Sequence, residues 1–150
     1  MYPDFTLTPS GLQYKDFREG KGDTPRPGQR VVVDWSGNTV GYYGRPFEAR
    51  NKPKGGAFTG DNKEYLRWVV GSSDVIGAFE EAVATMRPGG IRRIVVSPGP
   101  LFYPLDKPLS RGPRPSTFSG ERALLFVLEN QGLIDKTLLF DIELIRVENV

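Results

Sequence analysis

The run Ser73-Asp74-Val75-Ile76-Gly77-Ala78-Phe79-Glu80-Glu81-Ala82-Val83-Ala84-Thr85-Met86 constrains the fold of this chain more than any other stretch. Val75, Ile76, Phe79, Ala82, Val83 and Met86 recur at the helical period and share one face, with Glu80, Glu81 and Thr85 opposite. Ser73 and Asp74 offer oxygens to the first free amides, and the early acidic residues suit the positive end of the helix dipole. Arg87-Pro88-Gly89-Gly90 ends the helix, because proline cannot continue it and glycine permits a left-handed turn. Such a helix cannot bury its apolar stripe alone, so a sheet must lie against it.

Strands are written on both sides of it. Residues 12–17, 29–37, 64–71, 90–98 and 137–147 are rich in β-branched or aromatic residues and bounded by glycine or proline. In the second of these, Val31, Val33 and Trp35 point one way and Val32, Asp34 and Ser36 the other. Leu66, Trp68 and Val70 share a face of the third, where Trp68 reads as core. One central helix among strands joined mostly by turns predicts an α+β domain with an antiparallel sheet. Residues 1–9 read as an N-terminal arm and 10–150 as the domain, with 51–63 a long, mobile, glycine-rich excursion.

Residues 99–132 form an insertion that holds Pro100, Pro104, Pro108, Pro113 and Pro115 before a second helix over 119–132. Ser119 is its expected cap, and Gly132 sits where a C′ glycine belongs. Leu124-Leu125-Phe126-Val127-Leu128 is apolar all round, which suits a helix buried under the loop or a docking face. Helical geometry spreads five consecutive residues around the whole circumference, so one or two should remain outward. Leu125 and Leu128 are the candidates for partner contact.

Composition narrows the chemistry. With 150 residues, 38% hydrophobic and 25% charged, the chain suits one soluble domain. No apolar run approaches the ~20 residues of a membrane span. The start, Met1 to Phe5, has neither signal-peptide nor transit-peptide character, so the protein either stays where it is made or is a processed chain. The net charge of +2 is diffuse, with a loose group at Arg45, Arg50, Lys52 and Lys54, which argues against nucleic-acid binding. The chain has no Cys and no His. That excludes thiol nucleophiles, disulfides, Ser-His triads and nearly all transition-metal sites, and we expect neither metal nor cofactor. Chemistry must come from carboxylates, hydroxyls, amines, backbone or a shaped apolar pocket.

The motifs also occur in a familiar order: Ser10-Gly11-Leu12-Gln13-Tyr14, Val32-Val33-Asp34-Trp35-Ser36-Gly37, Phe47-Glu48, Val70-Gly71, Val75-Ile76, Phe79-Glu80-Glu81-Ala82-Val83, Met86-Arg87-Pro88-Gly89-Gly90, Arg92 to Pro98, and Leu138 to Leu144. This order resembles the FKBP-type peptidyl-prolyl cis-trans isomerases, the immunophilins, over about residues 10–98 and 132–147. The Gly-Leu-Gln-Tyr start, the Gly-Gly-Ile-Arg-Arg run and residues 130–137 look most similar to members from the chloroplast thylakoid lumen of plants and algae. The resemblance implies a half-barrel, an antiparallel sheet wrapped around one central helix, with an apolar hollow between them. It places Trp35, Phe47, Glu48, Leu66, Val75, Ile76, Phe79 and Phe140 around that hollow, with Phe79 as its floor. It gives the Ile76 amide a ligand carbonyl, the Glu48 carboxylate a ligand or nearby side chain, and a donor role to a tyrosine that is here Phe102 or Tyr103.

Elementary chemistry agrees with the implied activity. Peptide rotation has a barrier of ~18–20 kcal/mol set by amide resonance, and lowering it needs no nucleophile or proton carrier. A water-poor aromatic cleft favours the twisted X-Pro amide. The resemblance therefore implies a prolyl isomerase acting on proline-containing protein segments in folding or assembly, with Trp35, Glu48, Ile76, Phe79 and Phe140 catalytic, and Phe47, Leu66, Val75, Phe102 and Tyr103 binding. It also implies macrolide binding and a lumenal location. The family's most active members carry Tyr, Asp, Trp and Phe where Trp35, Glu48, Phe79 and Leu66 stand. Trp35 and Glu48 are larger than what they replace, which predicts a partly filled hollow. The alternative reading is a catalytically weak interaction module for a thylakoid protein complex or assembly intermediate.

Overall fold

A computed structural model of the chain describes residues 4–41, 44–49, 65–130 and 134–149. The excursion at 51–63, the basic residues Arg50, Lys52 and Lys54, and the Gly132 cap position lie outside the described residues. Among the described residues seven strands form one sheet: β1 (Thr6–Leu7), β2 (Gln13–Arg18), β3 (Arg30–Thr39), β4 (Pro46–Glu48), β5 (Leu66–Val69), β6 (Ile91–Val96) and β7 (Leu138–Glu148). Their order is β1-β2-β6-β7-β3-β4, with β5 also paired to β3, and every pair is antiparallel. Among the described residues two α-helices, α1 (Gly77–Ala84) and α2 (Phe118–Leu128), and a short 3-10 helix at Pro108–Ser110 complete the α+β architecture. None of these is long and apolar enough to cross a membrane.

β3 is the central strand. It pairs with β7 along its length, with β5 through Arg30–Val33, and with β4 at Gly37 and Asn38. Val31, Val33 and Trp35 join the core against α1, as their alternation predicts. Val32 and Asp34, on the opposite side of the strand, are buried too, and the Asp34 carboxylate accepts from the Trp35 amide at 2.9 Å. Thr6 and Leu7, within the expected N-terminal arm, pair with Tyr14 and Gln13 and extend the sheet by one strand.

α1 buries Ala78, Phe79, Ala82 and Val83 on the sheet. It starts later than the apolar spacing predicts. Ile76 stands at the N-cap with no side-chain cap bond, and Ser73 has φ +65°. The reason is tertiary: Val75 bridges Gly112, whose amide donates to the Asp74 carbonyl at 2.8 Å and whose carbonyl accepts from the Ile76 amide at 2.7 Å. The insertion thus holds residues 74–76 extended. Glu80 turns back to accept from the Gly71 amide at 3.0 Å and from Trp68 Nε1 at 3.1 Å. At the far end, Arg92 reaches from β6 to donate to the Ala82 carbonyl at 2.8 Å and to Thr85 Oγ1 at 2.5 Å, and it pairs with Asp16 at 2.6 Å. A strand residue therefore satisfies a carbonyl that the last turn of the helix leaves open.

α2 begins one residue before the expected Ser119. Its cap is Thr117, whose Oγ1 accepts from the Gly120 amide at 3.0 Å. Gly120, Leu124, Val127 and Leu128 form the buried face, at i, i+4, i+7 and i+8. Close approach to β4 requires glycine at 120, because a Cβ there would lie 2.2 Å from the Phe47 carbonyl oxygen. The peptide bond between Gly112 and Pro113 is cis.

Candidate functional site

The aromatic residues singled out in the sequence converge. Gly37 lies opposite both Phe140 on β7 and Glu48 on β4. A Cβ at Gly37 would stand 2.5 Å from the Phe47 ring, so its bare backbone lets Phe47 and Phe140 meet above β3, at 5.8 Å and edge-on. α1 brings Phe79 beneath them. Its ring is 4.9 Å from Phe140, 6.1 Å from Trp35 and 6.2 Å from Trp68. Trp35 closes the cluster, 5.9 Å from Phe140 and 6.2 Å from Phe47.

The hollow is filled, and further than the larger Trp35 and Glu48 alone predict. Trp35, Phe47, Phe79 and Phe140 are each no more than 3% exposed. Side-chain volume explains part of this, since the Trp35 indole reaches all three phenylalanines. The insertion supplies the rest. The Ile76 amide already donates to the Gly112 carbonyl, and Tyr103 Oη donates to the Pro113 carbonyl at 2.5 Å. Glu48, itself buried, accepts from the Ser116 amide at 2.8 Å and from Ser116 Oγ at 3.0 and 2.9 Å. Residues 112–116 thus cross the aromatic cluster, with Pro113 and Pro115 buried, Arg114 exposed, and the otherwise exposed Ser116 turning its hydroxyl to Glu48.

Phe102 and Tyr103 are both buried, with their rings 6.0 Å apart. Tyr103 presents the hydroxyl and stands 6.5 Å from Phe140. Burial pushes its phenol well above the ordinary 10.0, and the Glu48 charge pushes the same way, so it remains a donor at neutral pH. Val75 is buried beside Gly112, and Leu66 is half-buried against the core. Of the two docking candidates, Leu128 is corrected: it is only 2% exposed and belongs to the inward stripe of α2. Leu125 is half-buried, and Phe126 at 47% and Phe118 at 76% are the outward aromatics.

Sequence reasoning missed Gly112, Pro113 and Ser116. The signal for them is the cluster of five prolines in one insertion, which implies a loop with extended pieces but not where it lies. A separate cleft of about 160 Å³, lined by Asp16, Thr85, Arg87 and Arg92 among others, opens at the C-terminal end of α1. Among the described residues no group of three or more acidic side chains could hold a metal ion. Chemically, the cluster offers two hydrogen-bond donors, one carboxylate and a water-poor aromatic floor.

Residues 21–145 match the family described as FKBP-type peptidyl-prolyl cis-trans isomerase. The chain is 63% identical over 146 residues to the chloroplastic peptidyl-prolyl cis-trans isomerase FKBP19 of Arabidopsis thaliana, covering 97% of this chain and 57% of that protein. It is 31% identical over 156 residues to the chloroplastic FKBP17-1 of the same plant, covering 98% of this chain and 65% of that protein. The chain therefore spans less than two thirds of either relative. Among solved structures, FkpA from Escherichia coli matches with a TM-score of 0.57 at 21% identity, over 99% of this chain and 53% of that one. That likeness speaks to the fold.

Proposed function

This chain belongs to the FKBP-type peptidyl-prolyl cis-trans isomerase family, and from that membership we propose that it catalyses rotation about X-Pro bonds in protein segments. The observation that carries the reading is the convergence of Trp35, Phe47, Phe79 and Phe140 beneath the Ile76 amide and the Tyr103 hydroxyl. In this reading the aromatic floor desolvates the X-Pro amide, which weakens its resonance and favours the twisted form. Ile76 N–H and Tyr103 Oη–H hold carbonyls of the bound segment, and Glu48 accepts from a neighbouring donor. Trp35, Phe79 and Phe140 touch the reacting amide, while Phe47, Leu66, Val75 and Phe102 shape the walls. Of the two residues that could fill the tyrosine role, we assign Tyr103. No proton need leave any group, which suits a chain without His or Cys.

The test is cis/trans exchange in a proline peptide with and without the chain. Acceleration that falls at least tenfold in Phe79→Ala and Phe140→Ala supports the reading. No acceleration at stoichiometric protein sinks it. Macrolide binding follows as a proposal on the same cleft.

One observation favours a second reading, a catalytically weak interaction module: the aromatic rings are packed against one another with almost no exposed surface. The two chloroplastic relatives support a chloroplast location. Within it we place the chain in the thylakoid lumen, where a protein complex or assembly intermediate would be the partner. Pull-down from lumen extract with the parent chain and with Leu125→Lys separates the readings. Loss of one defined partner with unchanged peptide exchange supports the module.

A further inference from the structure

We infer that Gly112–Ser116 is an internal ligand of the cleft, and that the cleft takes in exchange segments of other chains with the same chemistry: a small residue before proline and a Ser or Thr three residues after it. This rests on the reading of the cleft as the isomerase site.

The segment is held as a ligand is held, by directional polar contacts at three separate elements. The Ile76 amide, just ahead of α1, donates to the Gly112 carbonyl at 2.7 Å. Tyr103 Oη, on the loop after β6, donates to the Pro113 carbonyl. Glu48, on β4, accepts from both the amide and the hydroxyl of Ser116. Between these anchors Pro113 and Pro115 are buried and Arg114 is exposed, while Ser116 turns its hydroxyl to Glu48. That is a peptide segment anchored across the aromatic cluster.

The same contacts define what can replace it. If the segment leaves, the Ile76 amide and the Tyr103 hydroxyl lose their acceptors together. Buried donors without acceptors are costly, so the open cleft favours an incoming chain that offers carbonyls on either side of a proline nitrogen. Glu48 then selects a hydroxyl donor at the third position on. A Cβ at Gly112 would meet Asp74 O and Val75 Cγ1 at 3.5 Å, which is ordinary contact, so alanine fits before the proline and bulkier residues press on Val75.

The internal segment also sets the apparent affinity. A tethered ligand competes at an effective concentration of about millimolar. An external segment binds with its intrinsic constant divided by the fraction of clefts that are open. Weakening the Ser116 latch therefore strengthens external binding. Ser116→Ala removes the hydroxyl bonds but keeps the amide bond. Ser116→Asp sets a second carboxylate against Glu48 and opposes closure directly.

The experiment uses the whole chain and a synthetic peptide carrying residues 111–117 as the probe, with binding followed by calorimetry and exchange by NMR. Ser116 is an exposed loop residue, and circular dichroism verifies the fold of each variant. The expected result is binding about 3-fold tighter for Ser116→Ala and at least 10-fold tighter for Ser116→Asp, with isomerase rates rising in the same order. Should Ser116→Asp fail to fold, Ser116→Ala alone carries the comparison. A peptide with alanine in place of Pro113 should bind at least 10-fold more weakly; equal binding overturns the claim that the cleft reads proline. Equal affinity across parent and variants, with isomerase activity intact, overturns the internal ligand and leaves the isomerase reading standing. Tighter binding without isomerase activity in any variant does the reverse.

Discussion

Gly120→Ala sets two well-understood effects against each other. Gly120 is the third residue of α2, and in a helix alanine is favoured over glycine by ~0.8–1.0 kcal/mol. Propensity alone predicts a more stable protein. The structure predicts the opposite. The new Cβ would lie 2.2 Å from the Phe47 carbonyl oxygen, 3.2 Å from its carbonyl carbon and 2.9 Å from Thr117 Oγ1. The obstacle is the backbone of β4, fixed by the pairing of Gly37 with Glu48 and by the Thr39 amide donating to the Arg45 carbonyl at 2.8 Å. It cannot swing aside as a side chain would. α2 must lift instead, loosening Leu124, Val127 and Leu128. Overpacking of this kind costs about 2–3 kcal/mol. After the propensity gain, a net loss of about 1–2 kcal/mol remains, or roughly 2–8 °C in Tm for a chain of this length. Urea unfolding followed by tryptophan fluorescence reads it. A Gly120→Ala variant as stable as the parent refutes the tight seating of α2 on β4, and with it the rigidity assigned to Phe47 and Glu48.

Arg92→Met should cost about 2–3 kcal/mol in guanidinium unfolding, because it removes the Asp16 pair and the two donors that finish α1 while keeping the apolar stem. The figure sits below the ~3–5 kcal/mol for breaking a fully buried pair, since Asp16 is 35% exposed and can be rehydrated. A cost below about 0.5 kcal/mol contradicts the capping role. Tyr103 makes stability pH-dependent on the alkaline side. Its folded-state pKa is raised above 10.0, so its contribution is full below that value and is lost as pH rises through the folded value. Tyr103→Phe should flatten the decline above pH 10 and cost about 1 kcal/mol at pH 7 through the lost bond to Pro113. An unchanged alkaline limb contradicts this.

Much of the fold was legible because its signals are periodic. The stripe of α1, the alternation of β3 and the glycine and proline boundaries are local properties of the chain, and the elements sit where those patterns fall. The errors lie where tertiary contacts override local preference. Ser73 and Asp74 are good caps by type, yet Gly112 pairs with the backbone around Val75 and delays the helix. Leu128 and Leu125 are equivalent by composition, and only the rotation of α2 on β4 distinguishes them. Asp34 is polar and its alternation with Trp35 says nothing of its burial, yet it accepts from the next residue's amide and is buried. At the site, the aromatic cluster was legible through the family resemblance, since no single aromatic spacing specifies a pocket. Its occupant was not, because proline-rich sequence specifies an extended chain and says nothing of where that chain lies.

The most direct test of a proline site beneath Ile76 and Tyr103 is an NMR titration of the ¹⁵N-labelled chain with an unlabelled Ala-Pro peptide carrying Ser three residues after the proline. The amides of Ile76 and Tyr103 and the indole of Trp35 should shift together, with one dissociation constant, as the peptide takes over the carbonyl contacts that Gly112 and Pro113 now make. Shifts confined to the cleft near Thr85 and Arg87, or no shifts at millimolar peptide, would contradict it.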